Sequence, residues 1–152
     1  MFKTALLVSG VLVAGLSALA AQAQGPVNAS DLKWAPAPAV FPAGAKMAVL
    51  SGDPGKTGEF VIRLKMPAGY KIPAHHHPTD EYVTVVSGDF SLGMGDKLDT
   101  KKSAHLAAGG FAEAPKGMNH FAFSRGGSVV QVSAEGPFAM TYVNPKDDPT
   151  HK

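Results

Sequence analysis

Gly69-Tyr70-Lys71-Ile72-Pro73-Ala74-His75-His76-His77-Pro78-Thr79-Asp80-Glu81-Tyr82-Val83-Thr84-Val85-Val86-Ser87-Gly88 sets three histidines and a glutamate between two glycines. His75 and His77 are two apart, so on an extended strand their side chains leave the same face. His76 then points to the opposite face. Pro78 bends or interrupts the strand, because it has no N–H for a ladder. Glu81 follows, and residues 81–86 read again as a strand that ends at Ser87-Gly88. Two imidazoles and one carboxylate brought together across a short turn make a mixed N/O site for a divalent metal.

A second stretch, Gly109-Gly110-Phe111-Ala112-Glu113-Ala114-Pro115-Lys116-Gly117-Met118-Asn119-His120, reads as a strand, a tight Pro-x-Gly turn and a His that opens another strand. His120 is the candidate fourth ligand. The first stretch resembles cupin motif 1, G-x5-H-x-H-x3-E-x6-G, at every named position. The second resembles cupin motif 2, G-x5-P-x-G-x2-H-x3-N, from Gly109 through His120, with Ser124 where the motif has its final Asn. The resemblance implies an all-β fold, a single-domain jelly-roll barrel with the site near its centre. It also implies the ligand set His75, His77, Glu81 and His120. The expected cofactor is one divalent transition metal, with Mn, Fe, Zn, Ni and Cu all suited to three imidazoles and a carboxylate.

Residues 1–23 read as a signal peptide. Lys3 supplies the positive start, residues 5–20 form an uncharged apolar run, and Ala21-Gln22-Ala23 offers small residues where signal peptidase reads. Cleavage is expected before Gln24. The apolar run falls short of the ~20 residues that a spanning helix needs. A periplasmic or secreted location follows, with no membrane contact after cleavage. Taking those 23 residues from 152 leaves 129, one domain by length. Net charge falls from +2 to +1, since Lys3 is the only charge removed. Lys101-Lys102 is the only adjacent basic pair, so no nucleic-acid-binding stripe exists. The chain has no Cys, which excludes disulfides, thiolate ligands and Cys nucleophiles.

Residues 24–43 are rich in Ala and Pro and read as an extended arm on the barrel, with Trp34 as its anchor. Residues 44–143 form the barrel and 144–152 a polar tail, disordered or loosely draped. Residues 59–66 alternate: Phe60, Ile62, Leu64 and Met66 share the inner face, and Glu59, Val61, Arg63 and Lys65 the outer. Val83 and Val85 share the parity of Glu81 and should also face inward. Gly88-Asp89 reads as a tight hairpin between two strands. His105 has no spaced partner, so a hydrogen-bonded structural role is expected. Phe121 and Phe123 oppose the parity of His120. They should pack against the other sheet or a second subunit, which leaves a homodimer open.

Met118 is added to the inner wall, with Gln131 and Tyr142 as its polar candidates. Such a wall suits a small, weakly polar organic ligand, with an aromatic one included. Three His and one Glu leave two of six octahedral positions free for substrate, water or O₂. Small cupins with this ligand set include dioxygenases, oxalate-metabolising enzymes, isomerases and proteins that only bind a ligand. With an apolar wall the expectation is a metal-dependent oxidoreductase of dioxygenase type. The alternative is a non-catalytic periplasmic protein that binds a metal or small ligand. A general acid or base beside the open positions would separate the two, and spacing alone places none.

Overall fold

The structure, a computed structural model, describes residues 25–151. The expected signal peptide and its cleavage site lie outside them, as does Lys152. Among the described residues no helix is long and apolar enough to cross a membrane.

Among the described residues, eleven strands run in chain order: β1 (Ala35–Pro36), β2 (Lys46–Ser51), β3 (Gly58–Met66), β4 (Tyr70–His76), β5 (Glu81–Gly88), β6 (Phe90–Met94), β7 (Ala104–Leu106), β8 (Phe111–Ala114), β9 (His120–Ser124), β10 (Ser128–Gly136) and β11 (Thr141–Tyr142). They form two antiparallel sheets. One has the order β1-β2-β3-β10-β5-β8 and the other β11-β4-β9-β6-β7. From β3 onward the chain passes repeatedly between the sheets, which is the expected all-β jelly roll.

Alternation decides what lies between the sheets. Phe60, Ile62, Leu64 and Met66 are buried on the inner face of β3, and Val83 and Val85 on that of β5. Each such side chain withdrawn from water contributes about 2 kcal/mol. Facing them across the core are Ile72, Phe90, Leu92 and Ala122 from the second sheet. Strand β10 fills the middle of the first sheet, paired along its length with β3 and β5.

Local expectations are corrected at several points. Gly88-Asp89 is not a hairpin, because β5 pairs with β10 and β8 while β6 pairs with β9 and β7. It is a corner where the chain changes sheets. Gly88 has φ +79°, and a Cβ there would lie 2.1 Å from the Gly127 carbonyl oxygen, so only glycine fits. Ser124, at the departure from motif 2, braces this corner by donating to the Asp89 carbonyl at 2.7 Å.

Phe121 and Phe123 do face outward, but neither the other sheet nor a second subunit is needed to cover them. With Ala74 they form a small separate core, packed by Leu98 and Val143 of the same chain. In the arm, Trp34 is half-buried with the Lys65 ammonium 5.9 Å from its ring. The arm residues packed on the core are Ala37 and Phe41. In the tail, short 3₁₀ turns form at Pro145–Asp147 and Pro149–His151, the first capped by the Asn144 side chain. His105 is exposed on β7, without a side-chain hydrogen bond among the described residues.

Candidate metal centre

His75 lies near the end of β4 and His120 opens β9, and the two are directly opposed in the antiparallel ladder. A cross-strand pair on one face brings side chains together, and the ring centroids are 4.3 Å apart. The ladder is irregular between Ile72 and His75, where Pro73 has no N–H to offer. Its carbonyl is turned to the site instead and accepts from His75 Nδ1 at 2.7 Å.

His77 follows the last residue of β4. Its ring sits 4.9 Å from that of His75 and 5.2 Å from that of His120. Glu81 begins β5 in the opposite sheet, between Ala114 of β8 and Ala134 of β10. Those two small side chains leave room around the carboxylate.

The turns that carry these residues are stapled together. Gly117 has φ +71° in the turn before β9, and its N–H donates to the His77 carbonyl at 2.9 Å. One residue earlier, Lys116 N–H donates to Asp80 Oδ1 at 2.7 Å. The two motifs thus set each other's position through backbone donors. Asp80 sits beside Glu81 in the quoted stretch, but only the folded turn reveals its work.

The imidazoles share one polarity. Nδ1 of His75, His77 and His120 donates to the carbonyls of Pro73, Ala139 and Met118, at 2.7, 2.8 and 2.9 Å. A carbonyl can only accept, so each neutral ring carries its proton on Nδ1 and a lone pair on Nε2. The three rings can present nitrogens within 4.8 Å of one another, all buried. Glu81 Oε2 lies 3.3 Å from His120 Nε2 and 3.7 Å from His77 Nε2. Among the described residues, neither of those buried Nε2 atoms has a hydrogen-bond partner. Lone pairs facing a carboxylate in a dry interior call for a cation, either a proton or a metal ion. The donor set fits a transition metal, and carbonyls that fix the rings' tautomers are the usual support for such a site.

Protonation equilibria agree. Burial pushes the His75 pKa down to about 3, with His120 and His77 adding repulsion. Burial also lowers that of His77, against the attraction of Glu81. For His120 burial acts downward, but adjacent Glu81 prevails and raises the value. Burial opposes the Glu81 carboxylate, yet His120 and His77 hold its pKa below the usual range. His75 and His77 are therefore neutral near pH 7, the form that binds metal.

Beside the cluster lies a narrow chamber with about 30 Å³ of free space. Its polar lining is His75, Glu81 and His120, and the rest is apolar, with Ile62, Leu64, Val83, Val130 and Val132 from the barrel strands. Three wall residues come from outside those strands: Phe41, Phe138 and Met140. Phe138 stacks on His77 with centroids 4.2 Å apart, and its neighbour Ala139 orients the same ring.

Three expected wall residues are corrected. Met118 is 45% exposed, since it belongs to the turn before β9 and has no strand parity. Gln131 faces outward and accepts from Arg63 Nε at 3.3 Å, because Val130 and Val132 take the inner face of β10. Tyr142 is buried opposite His75, but its hydroxyl is directed to the Val40 carbonyl and it does not line the chamber. A larger hollow of ≈ 550 Å³ on the outside of the first sheet, with Glu59, Asp80 and Lys116 in its lining, is separate from the imidazoles.

A two-sheet jelly roll with three inward histidines and a glutamate at the motif positions defines a cupin. The chain belongs to the ChrR cupin-like domain family, which matches residues 22–139. It is 31% identical over 101 residues to germin-like protein 9-3 of Oryza sativa subsp. japonica, a match covering 66% of this chain. That match spans about half the relative's length, 47%.

Among solved structures, the fold is similar to the polyketide cyclase RemF from Streptomyces resistomycificus. The TM-score is 0.69 at 17% identity, covering 83% of this chain and 89% of that one. It is also similar to a candidate acetylacetone dioxygenase from Methylibium petroleiphilum PM1. There the TM-score is 0.60 at 20% identity, covering 98% and 90%. At such identities the likeness concerns the fold alone.

Proposed function

We propose that His75, His77, His120 and Glu81 hold one divalent transition metal, and that the protein is an exported, metal-dependent oxidoreductase of dioxygenase type. Its substrate is a small, weakly polar organic molecule. The observation that carries the reading is the convergence of buried Nε2 lone pairs on the Glu81 carboxylate, with every Nδ1 turned to a backbone carbonyl. A bound divalent ion supplies a Lewis acid, or a redox centre if the ion is redox-active. The chain's own residues do the rest. The imidazoles are held in one tautomer, Glu81 brings a negative charge into a dry site, and the valine and leucine wall excludes water. That wall offers few partners for a polyhydroxylated substrate.

One observation favours the second reading, a non-catalytic protein that binds a metal or small ligand. Apart from the proposed ligands, no titratable side chain lines the chamber among the described residues.

Preparing the apo-protein and reloading it separately with Mn, Fe, Zn, Ni and Cu divides the two. The proposal expects O₂ uptake, with a panel of small phenols and diketones, in the redox-active forms only. Turnover at full rate in the pure Zn form would contradict a redox role. Binding of the panel in every form with no turnover in any would establish the second reading. The export component is tested by N-terminal sequencing of protein from outside the cytoplasm, which should begin at or near Gln24. An intact Met1 terminus there would contradict cleavage.

A further inference from the structure

The chamber is too small for the ligand that its wall suits. Free space of about 30 Å³ holds about one or two waters, whereas a cavity that takes up benzene measures roughly 150 Å³. Some part of the wall must give way, and the attachments of the three wall residues outside the barrel strands show which. Phe138 stacks on His77, and the next residue orients that ring, so displacing it would disturb the imidazole cluster. Met140 follows directly after Ala139 on the same short segment. Phe41 makes no ring contact with an imidazole among the described residues.

The loop that bears Phe41 is closed on itself and tied to the barrel by side chains. Ala37 N–H donates to the Ala45 carbonyl at 3.0 Å and closes residues 38–44 at their base. Phe41 N–H donates to the Pro38 carbonyl at 2.9 Å within the loop. Among the described residues, no backbone hydrogen bond joins 38–44 to either sheet. Instead, the carbonyls on the two sides of Phe41 each accept from one tyrosine. Val40 receives the Tyr142 hydroxyl at 2.7 Å, and Pro42 receives the Tyr70 hydroxyl. Both tyrosines are buried on the adjacent strands β11 and β4. Two side-chain tethers and one inserted ring therefore hold the loop shut.

We propose that Phe41 is a displaceable stopper that sets ligand size. The 38–44 loop swings outward, and the ligand occupies the space that the Phe41 ring vacates. The chemical class follows: a flat, largely apolar molecule the size of one six-membered ring, with its polar end toward His75 and His120. This rests on the chamber being the ligand site, as the proposed function has it.

The test uses benzene as probe on the Zn-loaded protein, with affinity measured by calorimetry and metal content by elemental analysis of the same samples. In the native protein benzene must displace Phe41, so Phe41→Ala should bind it at least about tenfold more tightly. Tyr70→Phe keeps the apolar surface and removes one tether. It should raise the open population and tighten benzene binding about fivefold. Unchanged or weaker binding in Tyr70→Phe, with metal content intact, would overturn the stopper, and this holds even if Phe41→Ala fails to fold. Failure of the metal reading would show separately, as native protein that takes up no metal.

Discussion

His75 and His76 are neighbours in the chain and opposites in the fold. His75 points between the sheets, where its ring lies 4.3 Å from that of His120, and a carbonyl fixes its Nδ1. His76 points out of the same strand, half-exposed, with Nδ1 3.1 Å from Asn119 Oδ1. Asn119 in turn donates to Asp96 Oδ1 at 2.7 Å. One imidazole is in a dry cluster of lone pairs and the other in an ordinary surface network. The difference shows that site chemistry comes from side-chain direction and burial, not from local abundance of histidine.

Truncating an inner ring should have the largest effect. Changing His77 or His120 to Ala should lower metal affinity by more than about 100-fold, beyond the 10- to 100-fold typical of losing an outer partner. Circular dichroism should still report the barrel, and equilibrium dialysis would give the affinity. Glu81→Gln keeps an oxygen donor but removes the charge that faces His120 and His77. A loss on the order of tenfold to 100-fold is expected in the same dialysis. His76→Ala should change metal affinity less than about threefold, since its Asn119 contact lies on the outer face. Equal losses from His76, His77 and His120 would refute the assignment by side-chain direction.

The smallest effect concerns the corner at Asp89. Its carboxylate accepts from Gly126 N–H at 2.8 Å and Arg125 N–H at 3.1 Å, and these bonds hold its pKa below the usual carboxylate range. A depressed folded pKa contributes stability that is present above the unfolded pKa and lost as pH falls through the folded one. Asp89→Asn should therefore melt slightly below the native protein at pH 7. The difference should shrink once the pH drops beneath the ordinary Asp range. A gap that widens on acidification would contradict this account.

Much of the inner region was legible in the sequence because its signals are local. Parity placed His75 and His77 on one face, and Phe60, Ile62, Leu64 and Met66 in the core. Motif spacing brought His120 and Glu81 into the same site. What escaped depends on tertiary context. Phe41 and Phe138 reach the chamber from segments with no periodicity of their own. Gly88 has the turn chemistry of a hairpin, and a glycine with positive φ serves equally where strands pair or part. Trp34 looked like the anchor because it is the largest residue of the arm, yet Phe41 sits where the tyrosine hydroxyls can hold its neighbours.

Diffraction from Zn-loaded crystals, recorded on both sides of the zinc absorption edge, tests the central claim most directly. A single strong anomalous peak is expected inside the barrel, about 2.0–2.1 Å from Nε2 of His75, His77 and His120 and about 2.0–2.2 Å from a Glu81 oxygen. An ion bound at His76, at His105 or by fewer than three of the inner imidazoles would contradict it.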